Sequence, residues 1–319
     1  MKVLLTGASG NIGGSTWEEL CRQGHQVRCF IRPSRTNRRK AQRMAGKAEV
    51  AWGDLRNRDE VKAAVQDQEI IVHLAFVIPP LCLEQPEVAR EINVEGTRNL
   101  IEAARSLEKP PKFLFASSLD VFGRTQDQEP PRKITDPVFA TDAYTEHKLA
   151  CESMLKSSGL EWSIFRFSDV PPLALRSPHP IMFEIPLNTR FEMVHPYDAA
   201  LAIANGIRSE EIWGRIWLIG GGKSCQVYYR DYLNRMLDLM GIGSLPAEAF
   251  TTKPYCTDWL DTEDSQHLLA YQRYTFDDIL AGLARIARFQ RLLARPSRFF
   301  VRRWMLNMSP YWKQARAQK

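Results

Sequence analysis

Short apolar runs alternate along this chain with longer stretches of helical periodicity. Lys2-Val3-Leu4-Leu5, Val27 to Ile31, Ile70 to Ala75, Phe113 to Ala116, Trp162 to Phe167 and Ile216 to Ile219 have the length and composition of buried strands. Ser15 to Arg22, Val88 to Leu107 and Ala143 to Ser157 read as helices. Strands that alternate with helices predict an α/β fold, a doubly wound parallel sheet with crossover helices. Pro171-Pro172 marks where the chain leaves that pattern, and Phe191 to Ile207 where it returns.

Composition adds bounds to this reading. The 319 residues, with 44% hydrophobic content, can bury one large core and a smaller lobe. Residues 1 to 5 already read as a core strand, which leaves no room for a cleavable signal peptide and predicts a cytoplasmic protein. The apolar stretch Ile70 to Leu83 contains His73 and Pro79-Pro80 and is too short to span a bilayer. The six cysteines show no Cys-x-x-Cys or Cys/His metal spacing and read as reduced thiols; no metal is expected.

The first strand runs into Thr6-Gly7-Ala8-Ser9-Gly10-Asn11-Ile12-Gly13-Gly14, and an amphipathic stretch follows. In a strand-turn-helix of this kind Gly7 permits the tight turn and Gly10 lets the backbone approach a pyrophosphate. Gly13 lets the helix pack on the strand, with the phosphates at the helix N-terminus. Farther on stands Tyr144-Thr145-Glu146-His147-Lys148. A phenol with an ordinary pKa of about 10 needs a nearby cation to move protons at neutral pH. On a helix, positions i and i+4 share a face, which brings Lys148 beside Tyr144. Ser118 upstream supplies a hydroxyl for the same substrate oxygen. Alone, Tyr-x-x-x-Lys reads as an ordinary surface pair; the glycine turn and Ser118 change that reading.

Thr-Gly-x-x-Gly-x-x-Gly, Ser118 and Tyr144-x-x-x-Lys148 together resemble the extended short-chain dehydrogenase/reductase family, which includes NAD-dependent epimerases and dehydratases. Asp54-Leu55 is similar to the family's adenine-contacting pair, His73-Leu74-Ala75 to its fourth-strand turn and Asn93-Val94-Glu95-Gly96-Thr97 to its following helix. Phe113 to Gly123 resembles the strand that delivers the catalytic serine, with Ser118 in that position and Ser117 a packed neighbour. The resemblance implies a Rossmann-type NAD(P)-binding domain over residues 1–168, completed by about 191–222. Residues 169–190 and 223–319 would then form a smaller, C-terminal substrate-binding lobe. It implies Ser118, Tyr144 and Lys148 as the catalytic residues. Gly7, Ser9, Gly10, Asn11, Ile12, Gly13, Arg32, Arg35, Asp54, Leu55, Leu74, Ala75, Phe76, Asn93, Lys148 and Val170 would contact the cofactor. Asn93 orders its helix or a relay water, or makes a plain helix-terminal hydrogen bond. His195 and Asp198 read as a turn residue and a helix N-cap. The two long helices imply a homodimer.

Cofactor choice turns on the end of the second strand, about 20 residues beyond the glycine turn, where an acidic residue would bind the ribose of NAD. Phe30-Ile31-Arg32-Pro33-Ser34-Arg35 offers guanidinium groups suited to a 2'-phosphate instead, which points to NADP(H) ahead of NAD(H). The expected reaction is hydride transfer between nicotinamide and a carbonyl or secondary alcohol, with Tyr144 moving the proton. Arg166 is followed by Phe167-Ser168-Asp169-Val170-Pro171-Pro172, without the Tyr-Gly-Pro of nucleotide-sugar members. In the family's arrangement Phe76, Val77, Ile78, Val170, Pro171 and Met193 would line an apolar pocket for a small, apolar substrate, or else be core. Two other classes stay open: an NAD-dependent nucleotide-sugar epimerase or dehydratase, and a non-catalytic NAD(P) sensor.

Residues 285 to 319 hold ten Arg or Lys and no Asp or Glu, against a net charge of +6 for the chain. Arg285, Arg288, Arg291 and Arg295 recur at helical spacing opposite Ile286, Phe289 and Leu293, ahead of Phe299-Phe300-Val301-Arg302-Arg303-Trp304. Such a segment packs on the lobe with its arginines in solvent, or makes peripheral contact with an anionic membrane. No nucleic-acid motif accompanies the charge. Thr262 with Ser265 is expected to cap a helix near Glu263, and Trp259 to pack in the lobe.

Overall fold

The computed structural model describes residues 1–174, 177–294 and 297–317, with the side chains of 288–294 and 317 outside that description. The chain opens with β1 (Lys2–Thr6), α1 (Asn11–Arg22), β2 (Gln26–Ile31), α2 (Arg35–Ala41), β3 (Glu49–Trp52), α3 (Arg58–Val65) and β4 (Ile70–His73). Two short helices, α4 (Leu81–Glu84) and α5 (Pro86–Arg90), lead through a π-helical turn at Glu91–Glu95 into α6 (Gly96–Arg105) and β5 (Lys112–Ser118). Then come α7 (Ala143–Lys156), β6 (Trp162–Phe167), β7 (Arg190–Glu192), α8 (Pro196–Gly206), β8 (Arg215–Ile219), β9 (Gln226–Tyr228) and α9 (Tyr229–Leu239). The chain continues with α10 (Glu263–Leu269), α11 (Phe276–Ala294), α12 (Arg298–Met308) and α13 (Pro310–Ala317).

Seven strands form one parallel sheet in the order β3-β2-β1-β4-β5-β6-β8. Successive residues of a strand point to opposite faces, and the packing follows. Val3, Leu5, Val27, Cys29, Val72 and Leu114 face Trp17 and Leu20 of α1 and Ala199 to Ile203 of α8. Leu4, Phe30, Ile71, Phe113 and Phe115 face Val61 of α3, Leu100 and Ala104 of α6 and Cys151 and Leu155 of α7. This is the expected doubly wound sheet. A separate cluster around Phe183, Phe191, Leu233, Leu237, Phe250, Ile279 and Met305 packs beyond it, with β7 and β9 paired antiparallel.

Three details depart from the sequence reading. β3 is a half-exposed edge strand whose short Val50-Ala51 core gives little apolar signal. The long helix expected over Val88 to Leu107 is interrupted by the π-helical turn, which turns Asn93 inward to the β4 loop. Such insertions into a helix are common at functional sites. At α10, Thr262 stands at the N-cap without a side-chain cap. Its hydroxyl accepts from Gln272 instead, and Ser265 donates to the Leu218 carbonyl on β8 at 2.6 Å.

Candidate active site

In a parallel sheet all strands end on one edge, so the loops after β1, β2, β3, β4 and β5 open together there. The chain order reverses between β1 and β4, the switch point at which such sheets bind ligands. Thr6 closes β1, and its hydroxyl accepts from the backbone N–H groups of Leu74 (3.2 Å) and Ala75 (3.1 Å), tying the glycine turn to the β4 loop. The same hydroxyl meets Nδ1 of His73 at 2.7 Å, while Nε2 meets Thr97 at 2.9 Å. Burial pushes His73 down to about 3, so it is a neutral connector between two hydroxyls. Gly7 has φ +73°, and a Cβ there would come within 2.7 Å of the Ala75 nitrogen. A Cβ on Gly13 would collide with the Gly7 carbonyl oxygen. Gly10, the N-cap of α1, offers no side chain to the first-turn N–H groups. Asn11 donates to the Val170 carbonyl at 2.7 Å, joining the turn to the loop after β6.

Arg32 and Arg35 are both exposed just beyond β2. Ser34 caps α2 by accepting from Asn37 N–H, the Asn37 amide donates to the Arg32 carbonyl, and Lys40 donates to the Ser9 carbonyl at 2.6 Å. Asp54 is engaged by its own neighbour: Arg56 holds the carboxylate at 3.0 and 2.8 Å and keeps its pKa below the usual range. Leu55 is buried against Gly96, where a Cβ would lie 2.8 Å from the leucine Cβ, and its carbonyl accepts from Asn99.

Ser118 ends β5, and Tyr144 is the second residue of α7, whose start is fixed by an Asp142–Thr145 capping box. Burial raises the Tyr144 phenol well above its ordinary value and the charge of Asp120 adds to this, while the Ser118 hydroxyl works the other way. Lys148 lies one turn on, donates from Nζ to the Ala116 carbonyl at 2.6 Å, and sits 3.6 Å from the centroid of the Phe76 ring. Its Nζ is 5.7 Å from the Tyr144 ring centroid, so Phe76, not the phenol, takes the position closest to the cation. Burial pulls Lys148 down to about 7.

Beneath these residues Ser117 donates to Glu152 at 2.6 Å, and Arg166 holds the same carboxylate at 3.0 and 2.7 Å. Asn93 makes no helix-terminal bond: its side chain accepts from Val77 N–H at 2.7 Å and donates to Val77 carbonyl at 3.0 Å, fixing the loop that carries Phe76. Of the residues expected to line a pocket, Phe76 and Val77 pack with Tyr144 and Cys82. Met193 is fully buried in the lobe's core and Ile78 is exposed.

A carboxylate, a phenol and a thiol join this group without having been singled out as site residues. Asp120 follows Ser118, whose hydroxyl accepts from its backbone N–H at 3.2 Å. Burial raises its carboxyl to about 7, and the charges of Asp169 and Asp142 add to the shift. Tyr255 and Cys256 are brought over from the lobe. Burial raises both, with the charge of Asp120 the next cause in each case. For Asp120, its place two residues beyond Ser118 was a readable signal. The other two are remote in sequence and carried none.

Residues 3–170 match the model of the NAD dependent epimerase/dehydratase family. The chain belongs to that family. Within the extended short-chain dehydrogenase/reductases it shares 29% identity over 160 residues with the 3-beta-hydroxysteroid dehydrogenase of Mycolicibacterium neoaurum, covering 48% of this chain and 42% of that one. It shares 29% over 167 residues with the photosystem II assembly factor Ycf39 of Cyanophora paradoxa, covering 52% of this chain and 44% of that one. The chain thus spans less than half the length of these curated relatives. In fold it is similar to the UDP-glucose 4-epimerase of Thermus thermophilus in complex with NAD. There the TM-score is 0.73 at 22% identity, over 90% of this chain and 99% of that one.

The glycine turn fits the family's dinucleotide, because Gly7 and Gly13 let the turn close tightly on the β4 loop and on α1, beside an α1 N-terminus whose N–H groups have no side-chain cap. The family's segment before α8 differs from the reading given above. His195 is itself the N-cap, accepting from Tyr197 N–H, and it stacks on Tyr274 at 4.0 Å. Asp198 lies inside the first turn, and its buried carboxylate accepts from the backbone N–H groups of Arg273 (3.0 Å) and Tyr274 (2.9 Å).

Proposed function

We propose that this family member is an oxidoreductase that moves hydride between a nicotinamide cofactor and a carbonyl or secondary alcohol, with Ser118, Tyr144 and Lys148 as its catalytic residues. The observation that carries the proposal is the meeting of α7, which bears Tyr144 and Lys148, with the end of β5, where Lys148 donates to the Ala116 carbonyl two residues before Ser118, at the sheet edge onto which the glycine turn opens. When bound, the cofactor supplies the hydride acceptor or donor. The chain supplies the rest. Ser118 orients the substrate oxygen, and Tyr144 gives or takes the proton at that oxygen. Lys148 places a cation within reach of both. Asn93 fixes Val77 and thereby Phe76, which covers Lys148. Leu74, Ala75, Val170 and the turn residues Ser9, Asn11 and Ile12 frame the cofactor's path, with Asp54 and Leu55 at its adenine end.

Arg32 and Arg35, exposed beyond β2, support NADP(H). The NAD in the solved relative supports NAD(H) as the alternative. Phe76 and Val77 support a small, apolar substrate, and residues 169–190 and 223–319 are the proposed substrate lobe. We place the protein in the cytoplasm as a homodimer. A second reading, NAD-dependent epimerisation or dehydration of a nucleotide sugar, is favoured by Asp120, a second proton-holding group beside Tyr144.

The test is a fluorescence titration with NADPH and NADH, mass spectrometry of nucleotide released on denaturation, and turnover of apolar ketones and alcohols. Exchangeable NADPH and a Tyr144→Phe variant that binds it normally but loses turnover by about 10²–10⁴-fold are expected. Co-purified NAD with no net change in NAD(P)H on turnover would install the second reading. Full turnover by Tyr144→Phe would end both.

A further inference from the structure

Among the described residues no helix is long and apolar enough to cross a membrane. α12 nevertheless presents an unusual outer face. Its inner face is locked down: Met305 is fully buried in the lobe's core, and Val301, Leu306 and Met308 pack against that core. Arg302 donates to the carbonyls of Ile242 and Ser244, and Ser309 at the helix end donates to the Ala249 carbonyl at 2.5 Å. One turn is 3.6 residues, so Phe299, Phe300, Arg303, Trp304 and Asn307 fall on the opposite arc. Phe299 is 68% exposed, Phe300 72% and Trp304 52%. The two phenylalanine rings meet edge to face at 5.7 Å, and Arg303, on the same arc, is exposed. The residues of this stripe foreseen upstream of α12, Arg288, Phe289, Arg291, Leu293 and Arg295, lie outside the described side chains.

We propose that the outer face of α12 docks on an anionic lipid surface, with Phe299, Phe300 and Trp304 entering the headgroup region and Arg303 pairing with lipid phosphate. Rings interleaved with arginine on a rigid amphipathic helix suit the polar–apolar boundary of a bilayer. Charge selects this occupant over a second copy of the chain. A twofold interface would set the patch against itself, and with no Asp or Glu between residues 285 and 319 its arginines would face only one another. Anionic lipid removes that repulsion. The proposal is independent of the reaction assigned to Tyr144.

The experiment is co-sedimentation of the full-length protein with phosphatidylcholine vesicles, with and without phosphatidylglycerol. It is repeated for Phe299→Ser/Phe300→Ser/Trp304→Ser and for Arg303→Glu, with NADPH titration and sedimentation velocity as controls of fold and oligomeric state. Expected are binding to the anionic vesicles alone, weakening with salt, and a loss of about fivefold for each basic residue removed. Brominated acyl chains should quench part of the tryptophan emission in the parent and less in Trp304→Phe. Absence of binding at low salt overturns the proposal, as does equal binding to neutral vesicles or binding untouched by both variants. Self-association abolished by the serine variant, with no lipid binding, would assign the face to a second copy instead.

Discussion

Replacing Asp120 with Asn isolates the cost of holding a carboxylate beside Tyr144. Burial raises this group to about 7, helped by Asp169 and Asp142 and opposed by the Ser118 hydroxyl and Lys148. In the unfolded chain an aspartate ionises near 3.9. Between these values the folded protein keeps a proton that the unfolded chain has released, so stability falls as pH rises through the window. Each pH unit is worth about 1.4 kcal/mol, which makes the difference between pH 5.5 and pH 8 about 2 kcal/mol. Water at the partly exposed edge of Asp120 reduces this to about 1 kcal/mol as a lower figure. Lys148 acts in the opposite sense, since burial lowers it to about 7 and the stability it costs returns as pH rises above that value. Both proteins carry Lys148, so its direct effect cancels in the comparison. The assay is calorimetry or dye-monitored melting of both proteins across this pH range. At about 2 °C per kcal/mol, the Tm of Asp120→Asn relative to the parent should climb by about 2 to 4 °C from pH 5.5 to pH 8. A difference that stays constant with pH, or shrinks toward pH 8, refutes the reasoning.

Two further outcomes follow from the packing. A methyl group at Gly13 would press on the backbone of Gly7 and Ala8, neither of which can swing aside. Gly13→Ala should therefore lower stability by about 1 to 3 kcal/mol, and NADPH titration should show binding weakened at least about tenfold, the factor for each 1.4 kcal/mol. Glu152→Gln should destabilise by about 3 to 5 kcal/mol by leaving Arg166 charged and buried without its carboxylate. Thermal melting should show Glu152→Gln/Arg166→Met recovering most of that loss.

The sheet was readable because its signal is local. A strand buried on both faces must be nearly all apolar, and Ile70 to Val72, Phe113 to Phe115 and Ile216 to Ile219 are. The glycine turn was readable for a similar reason, since its geometry excludes side chains at fixed offsets. β3 escaped notice because an edge strand half in water needs no such run. The break in the helix before α6 escaped because what turns Asn93 inward is the Val77 backbone, which helical periodicity does not see. Tyr144 and Lys148 were placed on one helix correctly. The ring that takes the cation, Phe76, comes from a different loop.

What could not be read is how the lobe is joined to the sheet, because the joints are buried carboxylates whose partners lie far along the chain. Asp258 accepts from Arg190 at 2.6 and 3.0 Å and from Thr125 at 2.7 Å, with Arg132 at 3.3 Å. Glu192 accepts from Gly222 N–H, the Gln226 side chain and Leu260 N–H, and burial still raises it to about 7. A buried carboxylate left without such donors would cost several kcal/mol, so each network requires all its members at once. Asp258 stands two residues beyond Cys256 and three beyond Tyr255, the side chains on which the charge of Asp120 acts. The wall facing the candidate active site is thus fixed by an arginine clamp, and a change at Arg190, remote from Tyr144, would act on the site by releasing that wall.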